Sequence, residues 1–410
     1  MNRHPSRPSP PASPQPGSAA LIARDDELAE FCRRIERAPF VTVDTEFMRE
    51  RTFWPILCVV QVAGGGMDKD PAAAAAIDAL APGLDLTPLF RILGDPNILK
   101  VFHAARQDLE IFYYLMKKLP APVFDTQVAA MVCGFGDSAS YETLVGTLAR
   151  ARIDKSSRFT DWSVRPLSDR QIAYALADVI HLRQVYEELG RRLAASGREA
   201  WLSEEMATLT AEATYDVDPS RAWLRLKARG GGRFLAVLRE VAAWREREAQ
   251  RRDLPRGRIV RDEALLEIAH HRPATAEALA RTRGLGARLA EGPMGAGLLQ
   301  AIAAGLAVPD QDCPRLEEKP ELPNGLGPVT DLLKVLLKFK SEDSGVAQKL
   351  LASSADLERI AAFGDKAEVA ALHGWRREAF GADALRLIRG EIALSAEGRR
   401  IRVFANKSDK

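Results

Sequence analysis

The stretch Ile56-Leu-Cys-Val-Val-Gln-Val-Ala63 is a near-continuous apolar run of strand length, the pattern of a strand buried on both faces. Gly64-Gly-Gly66 ends it and opens a loop that runs through Pro71. Val41 to Phe47 also has strand character, and Leu99-Lys-Val-Phe102 reads as a third strand leading into a helix from about Arg106 to Lys118. The longest helix of this region is predicted over Ser168 to Leu193. It opens with Ser168-Asp-Arg-Gln171, which has capping-box spacing, and Pro166 stands just upstream. Strands interleaved with helices predict an α/β domain over residues 21–213.

Two helical regions are expected after it. The first, 219–306, carries apolar residues at helical spacing over Leu235–Arg251, Arg261–His270 and Thr275–Arg283, with turns near Pro255-Arg-Gly257 and Gly284-Leu-Gly286. Residues 307–327 are rich in proline and charge and read as a linker. The second helical region, 328–394, shows an apolar stripe of Leu332, Leu333, Val335, Leu336 and Leu337. Residues 1–20, rich in Pro and Ser with no apolar core, read as a disordered tail and not as a signal peptide.

Composition narrows the function classes. With 46% hydrophobic and 28% charged residues the chain has globular composition, and no apolar run approaches the ~20 residues that cross a bilayer. Its four cysteines, Cys32, Cys58, Cys133 and Cys313, form no C-x-x-C pair. That argues against a structural zinc site or a disulfide framework and fits a reducing cytoplasm. The net charge of +2 hides an asymmetry: residues 219–306 hold 17 Lys and Arg against 9 Asp and Glu, a local +8 that leaves −6 for the rest. A basic block beside an acidic one suggests a polyanion-binding appendage on a metal-carboxylate core.

The candidate chemistry lies in three segments. Asp44 and Glu46 alternate along a strand and share a face, while Val43, Thr45 and Phe47 point into packing. Asp108 falls in the first turn of its helix, where an acid suits the macrodipole. Tyr174 and Asp178 are four apart on one helix face, among Ile172, Leu176, Ala177, Ile180 and Leu182. Each alone has an ordinary reading: a solvated strand edge, a first-turn acid, a buried Tyr–Asp hydrogen bond. Converging on one site, four carboxylates would repel one another unless cations sat among them. Two divalent cations would balance them.

The ordered set Asp-x-Glu, then Asp, then Tyr-x-x-x-Asp resembles the three motifs of DEDD 3′→5′ exonucleases with Tyr in the third motif. The surrounding sequence is similar to the ribonuclease D family. Val43-Asp-Thr-Glu-Phe47, Arg49-Glu-Arg-Thr-Phe-Trp-Pro55 and Leu57-Cys-Val-Val-Gln61 look like its first motif, and Lys100-Val-Phe-His-Ala-Ala-Arg-Gln-Asp-Leu-Glu110 like its second. Phe124-Asp-Thr-Gln-Val-Ala129 and Thr160-Asp-Trp-Ser-Val-Arg-Pro-Leu167 look like its connecting elements. Leu254 to Leu265 resembles the core of an HRDC nucleic-acid-binding domain. The resemblance implies an α/β ribonuclease H-like exonuclease domain, a mixed sheet flanked by helices, followed by two all-α HRDC-like helical domains at 219–306 and 328–394.

It further implies a 3′→5′ exoribonuclease acting on RNA 3′ ends, transfer RNA precursors in particular, and releasing 5′-mononucleotides. Asp44, Glu46, Asp108 and Asp178 would hold two Mg²⁺ or Mn²⁺ ions, hard cations that prefer oxygen, and Tyr174 would aim the attacking water. Phe47, Phe53 and Trp54 are candidates for stacking on terminal bases. His103 invites a catalytic or binding role, with a structural one as its plainer reading. Arg225, Lys227, Arg251, Arg252, Arg256 and Arg258 are candidates for phosphate contacts. A proofreading-type DNA exonuclease and a binding scaffold with an inactive nuclease domain are the alternatives.

Overall fold

A computed structural model of the chain describes residues 21–67, 70–316 and 321–406, so the 1–20 tail lies outside the described residues. Six strands form one mixed sheet: β1 (Leu21–Ile22), β2 (Phe40–Met48), β3 (Ile56–Gly64), β4 (Ala74–Asp78), β5 (Leu99–Phe102) and β6 (Val123–Asp125), in the order β1-β4-β3-β2-β5-β6. β3 pairs antiparallel with β2 and β4, while β2–β5, β5–β6 and β1–β4 are parallel. β3 is covered on both sides as its sequence predicts. Val60 and Val62 enter one core with helices α1 (Asp25–Ile35), α2 (Thr87–Gly94) and α3 (Arg106–Met116). On the other side Val59 and Ala63 pack with Ala175, Leu176 and Val179. Each such fully buried branched side chain contributes ~1.5–3 kcal/mol.

Helix α4 (Thr126–Val132) follows β6, and the short α5 (Tyr141–Leu144) follows α4. The long helix α6 (Asp169–Ser196) lies across the sheet; its Ser168–Gln171 capping box is present, and Gly197 ends it in the left-handed conformation. α7 (Glu199–Leu209) completes this part.

The basic region is helical throughout: α8 (Gly232–Arg252), α9 (Arg256–Ile259), α10 (Asp262–His271), α11 (Ala276–Ala280), α12 (Ala287–Ala290) and α13 (Pro293–Ala307), around its own core of Val237, Val241, Leu265, Ile268 and Leu298. The turn expected near Pro255–Gly257 falls between α8 and the one-turn helix α9, where Asp253 has a φ of 49°. The turn at Gly284–Gly286 is present, and both glycines have positive φ.

The last region contains α14 (Gly327–Ser344), α15 (Gln348–Leu351), α16 (Ser354–Phe363), α17 (Gly374–Arg376) and α18 (Ala382–Ile388), then a hairpin of β7 (Ile392–Glu397) and β8 (Arg400–Ala405). Only Leu333, Leu336 and Leu337 of the predicted α14 stripe are buried, whereas Leu332 and Val335 are exposed, as a 3.6-residue period requires. This region does not stand apart. Its Leu333, Leu336, Leu351 and Trp375 share one apolar core with Ala129, Val132, Leu193 and Leu202 of the first region.

Candidate active site

β2 turns successive side chains to opposite sides, and the site is built on that alternation. Val41 and Val43 enter the core under α1–α3. Thr42 faces α6, and its Oγ1 donates to the carbonyl of Val179 at 2.8 Å. That bond sets α6 against β2, and Asp178, the residue before Val179, comes to lie over Asp44 and Glu46. One oxygen from each of Asp44, Glu46 and Asp178 lies within 4.8 Å of the others.

Asp108 arrives from the other side of the strand. β2 and β5 run parallel with Thr42 opposite Val101, so the chain leaving β5 passes beside the Asp44–Glu46 end of β2 and enters α3. Thr45, expected to serve packing alone, is buried and donates its hydroxyl to Asp108. Three of the four expected carboxylates thus form one cluster, and the fourth is tied to the strand residue between two of them. A bulge after Glu46 breaks the β2–β3 register at this point.

Crowding sets the electrostatics. Burial, then Asp178, hold the Asp44 carboxyl well above the carboxylate range. Burial, then Asp44, Asp178 and Asp108, push Glu46 up to about 9. Asp108 is raised by burial and then by Asp44, against the Thr45 hydrogen bond. Burial pushes Asp178 up to about 7, opposed by the Tyr174 hydrogen bond and by Arg158. The bare protein therefore resists full ionisation of this cluster, and a divalent cation among the oxygens reverses that logic. Burial, then Asp178, raise the Tyr174 phenol far above its usual range, so it keeps its proton.

Asp44, Tyr174 and Asp178 open into a cavity of about 380 Å³, lined also by His103, Tyr141, Lys155 and Arg158. His103 lies at its wall with Nδ1 3.0 Å from Thr126 Oγ1, and burial lowers its pKa. Phe47 and Trp54 do not line this cavity. Phe47 packs partly against the core under the sheet, and Trp54 stacks on Tyr114 at 4.2 Å. Phe53 packs into the basic region, under the Arg256 guanidinium at 4.5 Å.

Four of the basic candidates already carry ion pairs within the chain. Arg225 and Arg256 both pair with the buried Glu246, and Arg251 and Arg252 both pair with Glu248. These four serve ion pairs within the fold. Lys227 and Arg258 are exposed and form no ion pair among the described residues.

Two supporting residues escaped the sequence. Asp125 accepts from the backbone N–H groups of Ala104 (3.1 Å) and Ala105 (2.8 Å), and caps α4 through the N–H of Gln127 at 2.7 Å. It thereby holds the turn that launches α3, where Ala104 has a φ of 59°. Its N-cap position before Thr126-Gln-Val was the readable signal. Tyr141 donates its hydroxyl to the backbone carbonyl of Asp178, and no local pattern announces that contact.

Comparison with known proteins agrees with this geometry. A family model described as 3′-5′ exonuclease matches residues 20–194, and one for the HRDC domain matches residues 234–302. The chain is 53% identical over 391 residues to a ribonuclease D of Granulibacter bethesdensis, covering 94% of this chain and 97% of the relative. It is 51% identical over 384 residues to one of Jannaschia sp., covering 93% and 98%. Among solved structures it is similar to Escherichia coli RNase D, described as an exoribonuclease involved in structured RNA processing. There the TM-score is 0.75 at 31% identity, covering 90% of this chain and 97% of the other. The catalytic core of RRP6 from Trypanosoma brucei shares the fold, with a TM-score of 0.51 at 20% identity over 70% and 80% of the two chains. The chain belongs to the ribonuclease D family, and its activity is that of a 3′→5′ exoribonuclease.

Proposed function

We propose that this protein shortens structured RNAs from the 3′ end, transfer RNA precursors among them, releases 5′-mononucleotides, and holds two divalent cations, Mg²⁺ or Mn²⁺, on Asp44, Glu46, Asp108 and Asp178. The observation that carries the reading is the convergence of Asp44, Glu46 and Asp178 within 4.8 Å, with Asp108 bonded to the intervening Thr45. The donor set fits such ions: hard carboxylate oxygens, crowded and desolvated enough to resist ionisation without a cation. When bound, such a pair activates water and stabilises charge at the phosphate.

The chain's own groups do the rest. Tyr174 keeps its proton and hydrogen-bonds Asp178, so it positions a water molecule and does not take a proton from it. Tyr141 holds the α6 backbone at Asp178, and Asp125 holds the turn before Asp108. A cytoplasmic location is supported by four free cysteines, and no helix among the described residues is long and apolar enough to cross a membrane.

The test is product analysis on a 3′-extended transfer RNA with Mg²⁺, beside a matched DNA 3′ end. Stepwise 5′-mononucleotides from the RNA are expected. The Asp178→Asn variant should release none while binding RNA with near wild-type affinity. Internal fragments, a preference for DNA, or an active Asp178→Asn protein would each count against the proposal.

A further inference from the structure

The segment between α5 and α6 carries an aromatic ring that the fold does not use. Phe159 is 90% exposed, more than any other large apolar side chain among the described residues. A lone exposed apolar residue needs no explanation; this one adjoins a residue of the active-site cavity. Its neighbour Arg158 lines the cavity with Asp44, Tyr174 and Asp178. The Arg158 guanidinium lies 5.2 Å from the centre of the Phe159 ring. The two therefore form one surface, a cation at the cavity wall with an aromatic ring beside it.

This surface is held in place from both ends. Within the turn, Ser157 is buried, and its carbonyl accepts the Thr160 hydroxyl at 2.8 Å and the Thr160 N–H at 3.2 Å. Upstream, Lys155 pairs with Glu142. Downstream, Trp162 is buried with its ring 6.2 Å from that of Tyr174. Arg165 then clamps the segment to the sheet: it donates to both oxygens of Asp78, at 2.8 and 2.6 Å, and to the Cys58 carbonyl at 2.9 Å. The backbone that carries the two side chains is fixed this way, so it loses little freedom on binding.

A cavity lined by carboxylates repels a phosphate chain, and a cation at its wall offsets that repulsion where the backbone must enter. An aromatic face beside it accepts any unpaired base, since every base has a stacking surface.

We propose that Arg158 and Phe159 together grip the RNA 3′ end, Arg158 on a phosphate entering the cavity and Phe159 stacked on an unpaired base at its mouth. The grip rests on the exonuclease reading of the site and adds two residues outside the carboxylate cluster.

Steady-state hydrolysis of a single-stranded oligoribonucleotide by the full chain with Mg²⁺ tests it. Phe159→Ala should raise KM by roughly 5- to 150-fold, the range for loss of one stacked base, with kcat within about twofold, and Phe159→Trp should restore KM. An abasic nucleotide scanned along the tail should weaken wild-type binding at one position and cost Phe159→Ala nothing further there. Arg158→Gln should raise KM and flatten its dependence on salt. If Phe159→Ala leaves KM unchanged, or the abasic nucleotide costs both proteins alike, the grip is wrong. Wild-type protein without metal-dependent hydrolysis would overturn the site itself, whereas an active wild type with neutral Phe159 and Arg158 variants overturns only the grip.

Discussion

Glu46, pushed up to about 9 by burial and by three neighbouring carboxyls, shows how this protein sacrifices stability for a site. An acid whose folded pKa exceeds its unfolded value keeps a proton that the unfolded chain releases. Stability of the metal-free protein should therefore fall as pH rises from the ordinary value of 4.5 toward about 9, with Asp178 adding to the loss up to about 7. Glu46→Gln should reduce that slope, leaving the part that Asp44, Asp108 and Asp178 contribute, and should raise the metal-free Tm. It should also shrink the Tm increase that Mg²⁺ gives the wild type, an increase that grows with pH. Thermal melts across pH with and without Mg²⁺ check this, and a wild-type Tm that rises from pH 5 to 9 without metal contradicts it. At this scale the sequence was legible where strand alternation decides: Asp44 and Glu46 share a face. The bond from Thr45 to Asp108 was not legible, because it depends on where α3 enters.

Among the elements, β2, β3, β5 and α6 were readable because each carries its own period or cap. β4 was not. Its sequence is Ala-Ala-Ala-Ile-Asp, just past the loop expected to run through Pro71, and alanine favours helices; burial between β1 and β3 makes it a strand. The hairpin β7–β8 did carry a signal, since Arg400-Ile-Arg-Val alternates, but β7 begins at Ile392, inside the region predicted as helical through 394, and β8 lies beyond it. The docking of α14 and α15 on α4 was also hidden, because such packing joins residues far apart in sequence. Arg198 donates to the carbonyls of Val132 and Ser344, and the Ala347 N–H donates to the Met131 carbonyl at 2.9 Å. At Gly134, with φ 83°, an added Cβ would sit 2.7 Å from the Gly345 carbonyl oxygen, whereas Gly136, with φ 87°, faces open space. Both Ala substitutions carry the ~1–3 kcal/mol cost of a left-handed non-glycine, and Gly134→Ala should cost more by the clash. Equal Tm losses for the two variants would mean that this contact does not hold the last region in place.

Across the whole molecule, the two helical regions meet the nuclease differently. The last one shares its core and includes the stacked Trp201–Trp375 pair at 4.6 Å, so cutting the chain after α7 exposes that core as well as removing charge. The basic region keeps its own core and touches the nuclease where the Asp253 carboxylate accepts the N–H groups of Phe53 (3.0 Å) and Trp54 (2.9 Å). Substitutions on its surface therefore test its role more cleanly than truncation. Lys227→Gln with Arg258→Gln should reduce the slope of log binding constant against log salt by ~1–2. Arg251→Gln with Arg252→Gln should change it less, because both already pair with Glu248; the opposite ranking would reassign the docking surface. The convergence of carboxylates is tested most directly by anomalous diffraction from crystals soaked in Mn²⁺ with a nucleoside 5′-monophosphate. Two peaks ~3.5–4 Å apart among Asp44, Glu46, Asp108 and Asp178 are the predicted result. A map with no peak at these side chains, in crystals that carry bound nucleotide, would contradict it.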